Sequence, residues 1–190
     1  LRVAPSDAPR VRELLRGQLL LVHEDDAGHM LQATRVQHAG ALDTIFATAA
    51  QLPDLGAQVL RTQPVQRAKS AQATTFRLWA PSAQAVQLCL YSGEAAPAIH
   101  KLPMQRDARS GSWHARRTGD LSGTVYLYLV DVVVPGLGLV RNRVTDPYSL
   151  GLTPDSTRSV VVDLAAPALK PAGWDTAPRP KRLVAPTDLT

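Results

Sequence analysis

Residues 84–91, QAVQLCLY, alternate between apolar and polar positions, with Val86, Leu88 and Leu90 on the apolar face. A period of two residues predicts a β-strand that buries one face. The residues just before this segment break the alternation, because a tryptophan, an alanine and a proline stand together at positions 79–81. Proline cannot continue a strand ladder, so we expect a strand to end on the tryptophan and a turn to follow it.

Short segments of this kind recur from residue 55 onward. Turn signals separate them, including Pro81-Ser82, Ser92-Gly93, Gly119-Asp120 and Pro135-Gly136. Regularly spaced short strands with such punctuation predict an antiparallel β-sandwich. The predicted strands lie near residues 55–60, 74–79, 84–91, 99–104, 112–117, 124–134, 140–144 and 159–163.

The first 54 residues carry a different pattern. Residues 6–16 predict a short helix, with Ser6 placed to accept hydrogen bonds from its first free amides. Two apolar runs around a polar turn at residues 25–28 predict a β-hairpin. A second helix is predicted over residues 41–50, where apolar residues recur at i, i+3, i+4 and i+7. These elements bury too little surface to fold alone, so we interpret them as the closing part of an N-terminal domain.

Three parts are therefore expected along the chain. Residues 1–54 form the end of the N-terminal domain, and residues 55–165 form the sandwich. Within the sandwich, residues 62–73 are polar and predict a loop. Proline is frequent from Asp146 onward, which predicts an extended tail pinned on another surface. Residues 166–190 are interpreted as a linker.

Composition narrows the classes of function. The chain is 45% hydrophobic and 19% charged, as is typical of a folded protein with a core. No apolar run approaches the roughly 18 residues of a membrane span, so no membrane partner is expected. The net charge is +5, but the arginines are scattered and aromatic residues make up only 5%. A nucleic-acid partner is therefore not expected.

The chemistry-bearing residues do not assemble into a familiar catalytic or metal motif. The densest group is His23-Glu24-Asp25-Asp26 with His29. It could hold a cation, but Asp and Gly are also the usual residues of a solvated hairpin turn, and we interpret it as a turn. Cys89 is the only cysteine and is expected to be a small apolar core residue. We expect no catalytic residue, no metal and no cofactor.

Five segments in sequence resemble one family. They are similar to the region before the catalytic barrel in pullulanase and limit-dextrinase type debranching enzymes of glycoside hydrolase family 13. The matching module is the immunoglobulin-like sandwich called carbohydrate-binding module family 48. Residues 14–47 resemble the end of the preceding N-terminal domain. The segments are FRLWAPSAQAVQL (76–88), GSWHARRTGDLSGTVYLYLVDV (111–132), VTDPYSLGL (144–152), TRSVVVDL (157–164) and KPAGWD (170–175).

The resemblance implies a non-catalytic N-terminal fragment of an enzyme that hydrolyses α-1,6-glucosidic bonds in branched α-glucans. A barrel of that kind takes about 250 residues, and the chain does not contain them. The implied role is to brace the barrel, with weak glucan binding as an additional property. The implied partners are the catalytic barrel of the same polypeptide and pullulan, amylopectin, limit dextrins or maltooligosaccharides.

Exposed aromatic rings are the residues on which sugar rings stack. The candidates for carbohydrate binding or interdomain contact are Trp79, Trp113, Tyr126, Tyr128, Tyr148 and Trp174. Glycogen-binding members of the resembled family carry a tryptophan in an early loop, a lysine after the strand tyrosine and a second tryptophan shortly beyond. Here the loop 92–98 has no aromatic residue, Leu127 follows the tyrosine, and the later position falls near Val134.

Each aromatic candidate also has a structural interpretation. Trp113, at the start of a strand, is expected in the core, and Trp79 is expected to pack against another domain rather than to form a sugar platform. Trp174 has no local core to enter, so we expect a barrel surface to cover it. Tyr126, Tyr128 and Tyr148 are alternatively explained as anchors whose hydroxyl groups bind backbone.

Two other functions stay open at this point. A free-standing α-glucan-binding module is the first alternative to the bracing fragment. An immunoglobulin-like protein-interaction domain is the second, supported by fold class alone.

Overall fold

The alternating segments form two facing antiparallel sheets in the computed structural model, which describes residues 4–61 and 72–177. The mainly β architecture is thus confirmed. The helices are α1 (Val11–Leu14) and α2 (Ala39–Ile45), with 3₁₀ turns at Ala8–Arg10, Ala47–Gln51, Pro154–Ser156, Pro167–Leu169 and Trp174–Thr176. The strands are β1 (Leu20–Glu24), β2 (Met30–Arg35), β3 (Gly56–Arg61), β4 (Gln72–Trp79), β5 (Ala85–Tyr91), β6 (Ala98–Pro103), β7 (Gln105–Arg106), β8 (Ser112–Thr118), β9 (Val125–Val134), β10 (Gly138–Val144), β11 (Gly151–Leu152) and β12 (Ser159–Val160).

The sandwich consists of a four-stranded and a six-stranded sheet. The smaller sheet has the order β3-β4-β8-β7, and the larger has the order β11-β12-β9-β5-β6. Strand β9 is long enough to pair with β5 along one edge and with both β12 and β10 along the other. Two short strands, β7 and β11, were not expected from the sequence, because two residues are too few to show a period.

The core lies between the inner faces of the two sheets. Phe76 of β4 and Tyr126 of β9 meet edge to face, with ring centroids 5.1 Å apart. Leu88 and Tyr128 are fully buried beside them. Burying one large apolar side chain contributes roughly 1.5–3 kcal/mol, so these contacts hold the two sheets face to face.

Strand β5 differs from the expected half-buried strand. Val86, Leu88 and Leu90 face the core as predicted. Cys89 and Tyr91 on the opposite face are also buried, at 1% and 6% exposure. Ala98 and Val160 pack against this outer cluster, and the guanidinium group of Arg158 lies over the Tyr91 ring, contacts that no periodicity in the sequence indicates. The prediction that Cys89 is a buried apolar residue is confirmed.

The first predicted helix is shorter than expected. A 3₁₀ turn precedes a single α-helical turn, and Asp7 occupies the N-cap without a side-chain hydrogen bond. Ser6 therefore does not cap the helix, and that prediction is wrong. Propagation of a helix needs length, and only Leu15 of this segment is buried.

The rest of the N-terminal segment follows the prediction more closely. Strands β1 and β2 form the expected hairpin. The second helix begins at Ala39 and changes to a 3₁₀ turn at Ala47, with Phe46 and Ala49 buried as its periodicity predicts. Within the described part of the chain, no helix has the length and apolar character to cross a membrane.

Residues 146–177 of the tail are not extended as expected, and the rest of the predicted tail, residues 178–190, lies outside the described residues. Residues 151–160 add strands β11 and β12 to the larger sheet, and residues 164–177 form turns around Pro167 and Trp174. Proline pre-sets the backbone angle of a helical turn and is favoured at its start, so a proline-rich segment need not be straight. Most of the predicted loop 62–73 lies outside the described residues, although Gln72 and Ala73 already belong to β4.

Candidate functional site

The structure separates the three tryptophans into three environments. Trp113 lies in the core at 6% exposure, and its indole Nε1 donates to the carbonyl of Ala80 over 2.9 Å. It is therefore a core residue, as the sequence predicts, and it presents no free ring face to a ligand.

Trp79 is half-buried at the junction with the N-terminal segment. Its Nε1 donates to the carbonyl of Ser110 over 3.0 Å. Together with Phe46, Leu55 and Tyr148 it lines an apolar notch of about 280 Å³. Residues of the 3₁₀ turn at Ala47–Gln51 line the same notch, and the assignment of Trp79 to a contact between domains stays a prediction.

The N-terminal segment is joined to the sandwich by specific hydrogen bonds. Arg16 donates from Nε to the carbonyl of Ala83 over 3.0 Å and from Nη2 to the carbonyl of Gln84 over 2.9 Å. The side chain of Gln84 returns a bond of 2.8 Å to the carbonyl of Arg16. Thr48 donates to the carbonyl of Arg109 over 3.2 Å. These contacts orient the segment on the turn that follows the Trp-Ala-Pro sequence and on the turn around Arg109.

Tyr126 and Tyr128 are fully buried and share one acceptor. Their hydroxyl groups donate to Oδ2 of Asp146 over 2.8 Å and 3.1 Å. The expectation that they bind backbone is wrong for both, because an inward-facing pair of hydroxyls is satisfied here by a carboxylate. Oδ1 of Asp146 accepts from the amide of Tyr148 over 2.9 Å, and the amide of Asp146 donates to Ser159 over 2.8 Å.

Asp146 thus forms hydrogen bonds to Tyr126, Tyr128, Tyr148 and Ser159 and connects these residues in one polar network. Burial raises the pKa of its carboxyl group, because burial outweighs the hydrogen bonds from Tyr148, Tyr126 and Tyr128 that favour the charged form. The pKa of Tyr128 is also raised, by burial first and then by the nearby carboxylate. The site is a structural network and offers no solvent-facing acid.

A pH titration of stability is expected to show the raised pKa of Asp146. Between the unfolded value of about 3.9 and the higher folded value, the folded state binds more protons than the unfolded state. The free energy of unfolding contributed by this group therefore falls as pH rises through that window. Urea unfolding of the native chain and of Asp146→Asn, compared at several pH values, measures this. The difference between the two proteins should change across the window, and a constant difference would contradict the assignment.

Tyr148 and Trp174 lie at other places on the surface. Tyr148 is half-buried beside Trp79 in the notch. Trp174 is 66% exposed and shares a shallow cleft with Leu164 and Leu169, which are 71% and 53% exposed. We call this cleft the tail patch. The structure therefore does not bring the six aromatic candidates together into one binding site.

The hairpin presents a second apolar surface. Every residue of β1 and β2 is exposed. Leu20, Val22, Met30 and Leu31 are 52%, 40%, 66% and 57% exposed. A two-stranded hairpin is marginal in water without further packing, so this surface is suited to a covering partner.

The acidic and histidine-rich turn of the hairpin is solvated, as predicted. Oδ1 of Asp25 accepts from the amides of Ala27 and His29, and Oδ2 lies 3.0 Å from Nδ1 of His29. These bonds lower the pKa of Asp25. Among the described residues, no group of three or more acidic, histidine or cysteine side chains is arranged to hold a metal ion.

A groove runs across the outer face of the six-stranded sheet, beside loop 92–98. Its volume is about 540 Å³, and we call it the outer groove. It is lined by Cys89, Tyr91, residues 95–98, Lys101, Leu129, Arg143 and Arg158.

Arg158 closes one end of the outer groove. Its guanidinium carbon lies 3.8 Å from the centroid of the Tyr91 ring. Its Nη1 donates to the carbonyls of Gly93 and Ala96 over 2.8 Å and 2.9 Å. Arg158 therefore holds the loop against the sheet and occupies the ring face on which a sugar would otherwise stack.

The outer groove includes residues 95–98 of loop 92–98, the loop that the resemblance equates with the tryptophan-bearing loop of glycogen-binding members. Leu127, at the position of their lysine, is 3% exposed. Lys101 and Arg143 instead supply the long cationic side chains here. Sequence reasoning missed Asp146, Lys101, Arg143 and Arg158. The sequence contains a signal for Asp146 alone, because two tyrosines on the inward face of a strand need a buried hydrogen-bond acceptor.

Comparison with known proteins identifies the families to which the segments of this chain are similar. Residues 54–149 match carbohydrate-binding module 48 (isoamylase N-terminal domain). Residues 1–44 match the pullulanase N2 domain. A pullulanase from Klebsiella pneumoniae is 38% identical over 184 residues, which cover 96% of this chain and 16% of that protein. Chloroplastic pullulanase 1 from Arabidopsis thaliana is 32% identical over 170 residues, which cover 87% of this chain and 16% of that protein.

Solved structures agree with the sequence relatives. The crystal structure of Klebsiella pneumoniae pullulanase complexed with maltotriose has a TM-score of 0.78 and 39% identity, and covers 90% of this chain and 15% of that chain. Ligand-free pullulanase from the same organism gives the same TM-score of 0.78. The prediction of N-terminal, non-catalytic modules is confirmed by the family matches. The chain belongs to the carbohydrate-binding module 48 family and, with its match to the N2 domain, is similar to an N-terminal region of the pullulanases, of whose length it spans about 16%.

Proposed function

We propose that this region braces the catalytic barrel of a polypeptide that hydrolyses α-1,6-glucosidic bonds in branched α-glucans. The observation that carries the bracing role is the tail patch around Trp174, which is 66% exposed and has exposed leucines beside it. Contiguous exposed apolar surface of this kind marks an interaction site. The pullulanase relatives support the proposed activity of the whole protein.

The exposed hairpin surface supports a second contact of the same kind. Every residue of β1 and β2 is exposed. Further strands of the N2 domain would bury the apolar side chains of this hairpin. In this proposal residues 1–54 close that domain, residues 55–165 form the module, and residues 166–190 lead towards the barrel. The hydrogen bonds of Arg16 and Gln84 then transmit a fixed orientation between the two modules.

Weak glucan binding by the module is the second part of the proposal. A solved relative was crystallised with maltotriose, and the module belongs to a carbohydrate-binding family. Pullulan, amylopectin, limit dextrins and maltooligosaccharides are the proposed ligands. The outer groove is the site that the geometry favours, because Trp113 is buried and Trp79 is engaged at the junction.

Replacing Trp174 in the complete polypeptide tests the brace. Trp174→Ser is expected to lower the temperature of thermal inactivation of pullulan hydrolysis by several degrees, because it removes apolar contact area with the barrel. Leu137→Ser is the matched control, since Leu137 is 75% exposed at the tip of the β9–β10 hairpin. Equal inactivation temperatures for all three proteins would overturn the brace. An absence of hydrolysis of pullulan in the native polypeptide would overturn the proposed activity.

A further inference from the structure

We propose that the outer groove binds a phosphate monoester carried on an α-glucan chain. The inference rests on the proposed function for the α-glucan, and on the charges of the groove for the phosphate. A neutral glucan is held by stacking and hydroxyl contacts. An array of cations without carboxylate partners instead favours an anionic group.

The order of the strands places the cations on the two rims of the groove. Lys101 on β6 pairs with Cys89 on β5, and Arg143 on β10 pairs with Leu129 on β9. These four strands are neighbours in the order β6-β5-β9-β10. Three strand spacings separate the rims by about 14 Å. Lys101 and Arg143 lie on the two rims of the groove, and the apolar side chains of Cys89 and Leu129 form its floor between them.

Both rims act electrostatically on the middle of the floor. Burial raises the pKa of the Cys89 thiol, and the positive charges that oppose this rise include Lys101 and Arg143. The cations are therefore close enough to the floor to stabilise a negative charge there. A sugar phosphate has both an apolar ring face for the floor and a charge of about −1.5 to −2 at neutral pH for the rims.

The cations of the groove are not neutralised by carboxylates in the described part of the chain. Lys101 and Arg143 form no ion pair there, and Arg158 donates to neutral carbonyl groups. Arg141 on the same face behaves differently, since it binds both oxygens of Asp131 over 2.6 Å and 2.7 Å. Glu94 is the acidic residue of the adjoining loop, and it does not line the groove.

Affinity electrophoresis with two forms of one polymer tests the inference. Naturally phosphorylated amylopectin and the same amylopectin after phosphatase treatment are cast in separate gels. The native chain should be retarded more strongly by the phosphorylated form. Lys101→Gln combined with Arg143→Gln should weaken this binding roughly tenfold or more, because the phosphate loses its charge-assisted hydrogen bonds to both rims. Arg109→Gln combined with Arg116→Gln removes the same charge elsewhere and should change the affinity less than twofold.

The outcomes distinguish the phosphate inference from the proposed glucan binding. Equal retardation by both polymers would retain glucan binding and overturn the phosphate inference. Retardation by neither polymer would overturn both. Competition in the phosphorylated gel separates the two sources of phosphate. Glucose 6-phosphate should compete at lower concentration than inorganic phosphate, and equal competition would overturn the role of the sugar.

Discussion

Replacing Asp146 by alanine is expected to lower the free energy of unfolding by about 3–5 kcal/mol, because two buried hydroxyl donors and one part-buried amide donor lose their acceptor together. Those donors are the hydroxyl groups of Tyr126 and Tyr128 and the amide of Tyr148. A buried donor left without a partner costs about 1–3 kcal/mol. Removing the buried carboxylate of Asp146 also removes its desolvation cost, which offsets part of the summed cost of the three donors. Urea unfolding at pH 7, followed by tryptophan fluorescence, measures the change.

Matched variants show whether the loss comes from unsatisfied donors. Asp43→Ala also removes a carboxylate, but Asp43 is exposed on α2, and its effect should stay within about 0.5 kcal/mol. Adding Tyr126→Phe and Tyr128→Phe to Asp146→Ala removes two of the orphaned donors and should recover part of the lost stability. If the triple variant is instead less stable by the sum of the three single effects, the network interpretation is wrong.

Replacing Gly111 by alanine is expected to lower the free energy of unfolding by about 2–4 kcal/mol through strain and crowding. Gly111 has a φ of +70°. A Cβ atom there would lie 2.6 Å from Cβ of Pro81 and 3.0 Å from Cδ1 of Phe46. The residue therefore allows the proline of the Trp-Ala-Pro turn and the N-terminal segment to approach the sandwich closely.

Gly138 provides the control for backbone strain alone. Its φ is +76°, and a Cβ atom there would meet nothing within 4 Å. Gly138→Ala should therefore cost only about 1–2 kcal/mol, the usual penalty of the left-handed region. Limited proteolysis adds a second measurement. Gly111→Ala should expose the N-terminal segment to cleavage faster than Gly138→Ala does, and equal cleavage would refute close packing at this junction.

The candidate site was partly predictable because burial and alternation are local properties. Trp113 was assigned to the core from its place at a strand start, and the structure agrees. The acceptor shared by Tyr126 and Tyr128 is not predictable from the local pattern, because Asp146 lies 20 and 18 residues away from them in sequence. In the sequence Asp146 stands out only as the first residue of the proline-rich tail. Its role as an acceptor depends on where the chain returns to the end of β9.

The outer groove illustrates the same limit more strongly. Lys101, Arg143 and Arg158 lie far apart in the sequence, where the scatter of the arginines served only to set aside a nucleic-acid partner. Pairing of β6, β5, β9 and β10 places the first two across one trough. The bond from Arg158 to loop 92–98 spans more than 60 residues. No local pattern contains such a contact.

The amino-acid sequence alone determined the longer strands of the sandwich, the hairpin, the apolar face of the second helix and the family. These depend on side-chain periodicity, turn residues and ordered motifs, which are readable within a few residues of each other. The tertiary structure decided which tryptophans are buried, which carboxylate satisfies the core tyrosines and which cations face one groove. These depend on strand order and on contacts between residues far apart in sequence, and a one-dimensional pattern does not encode their distances.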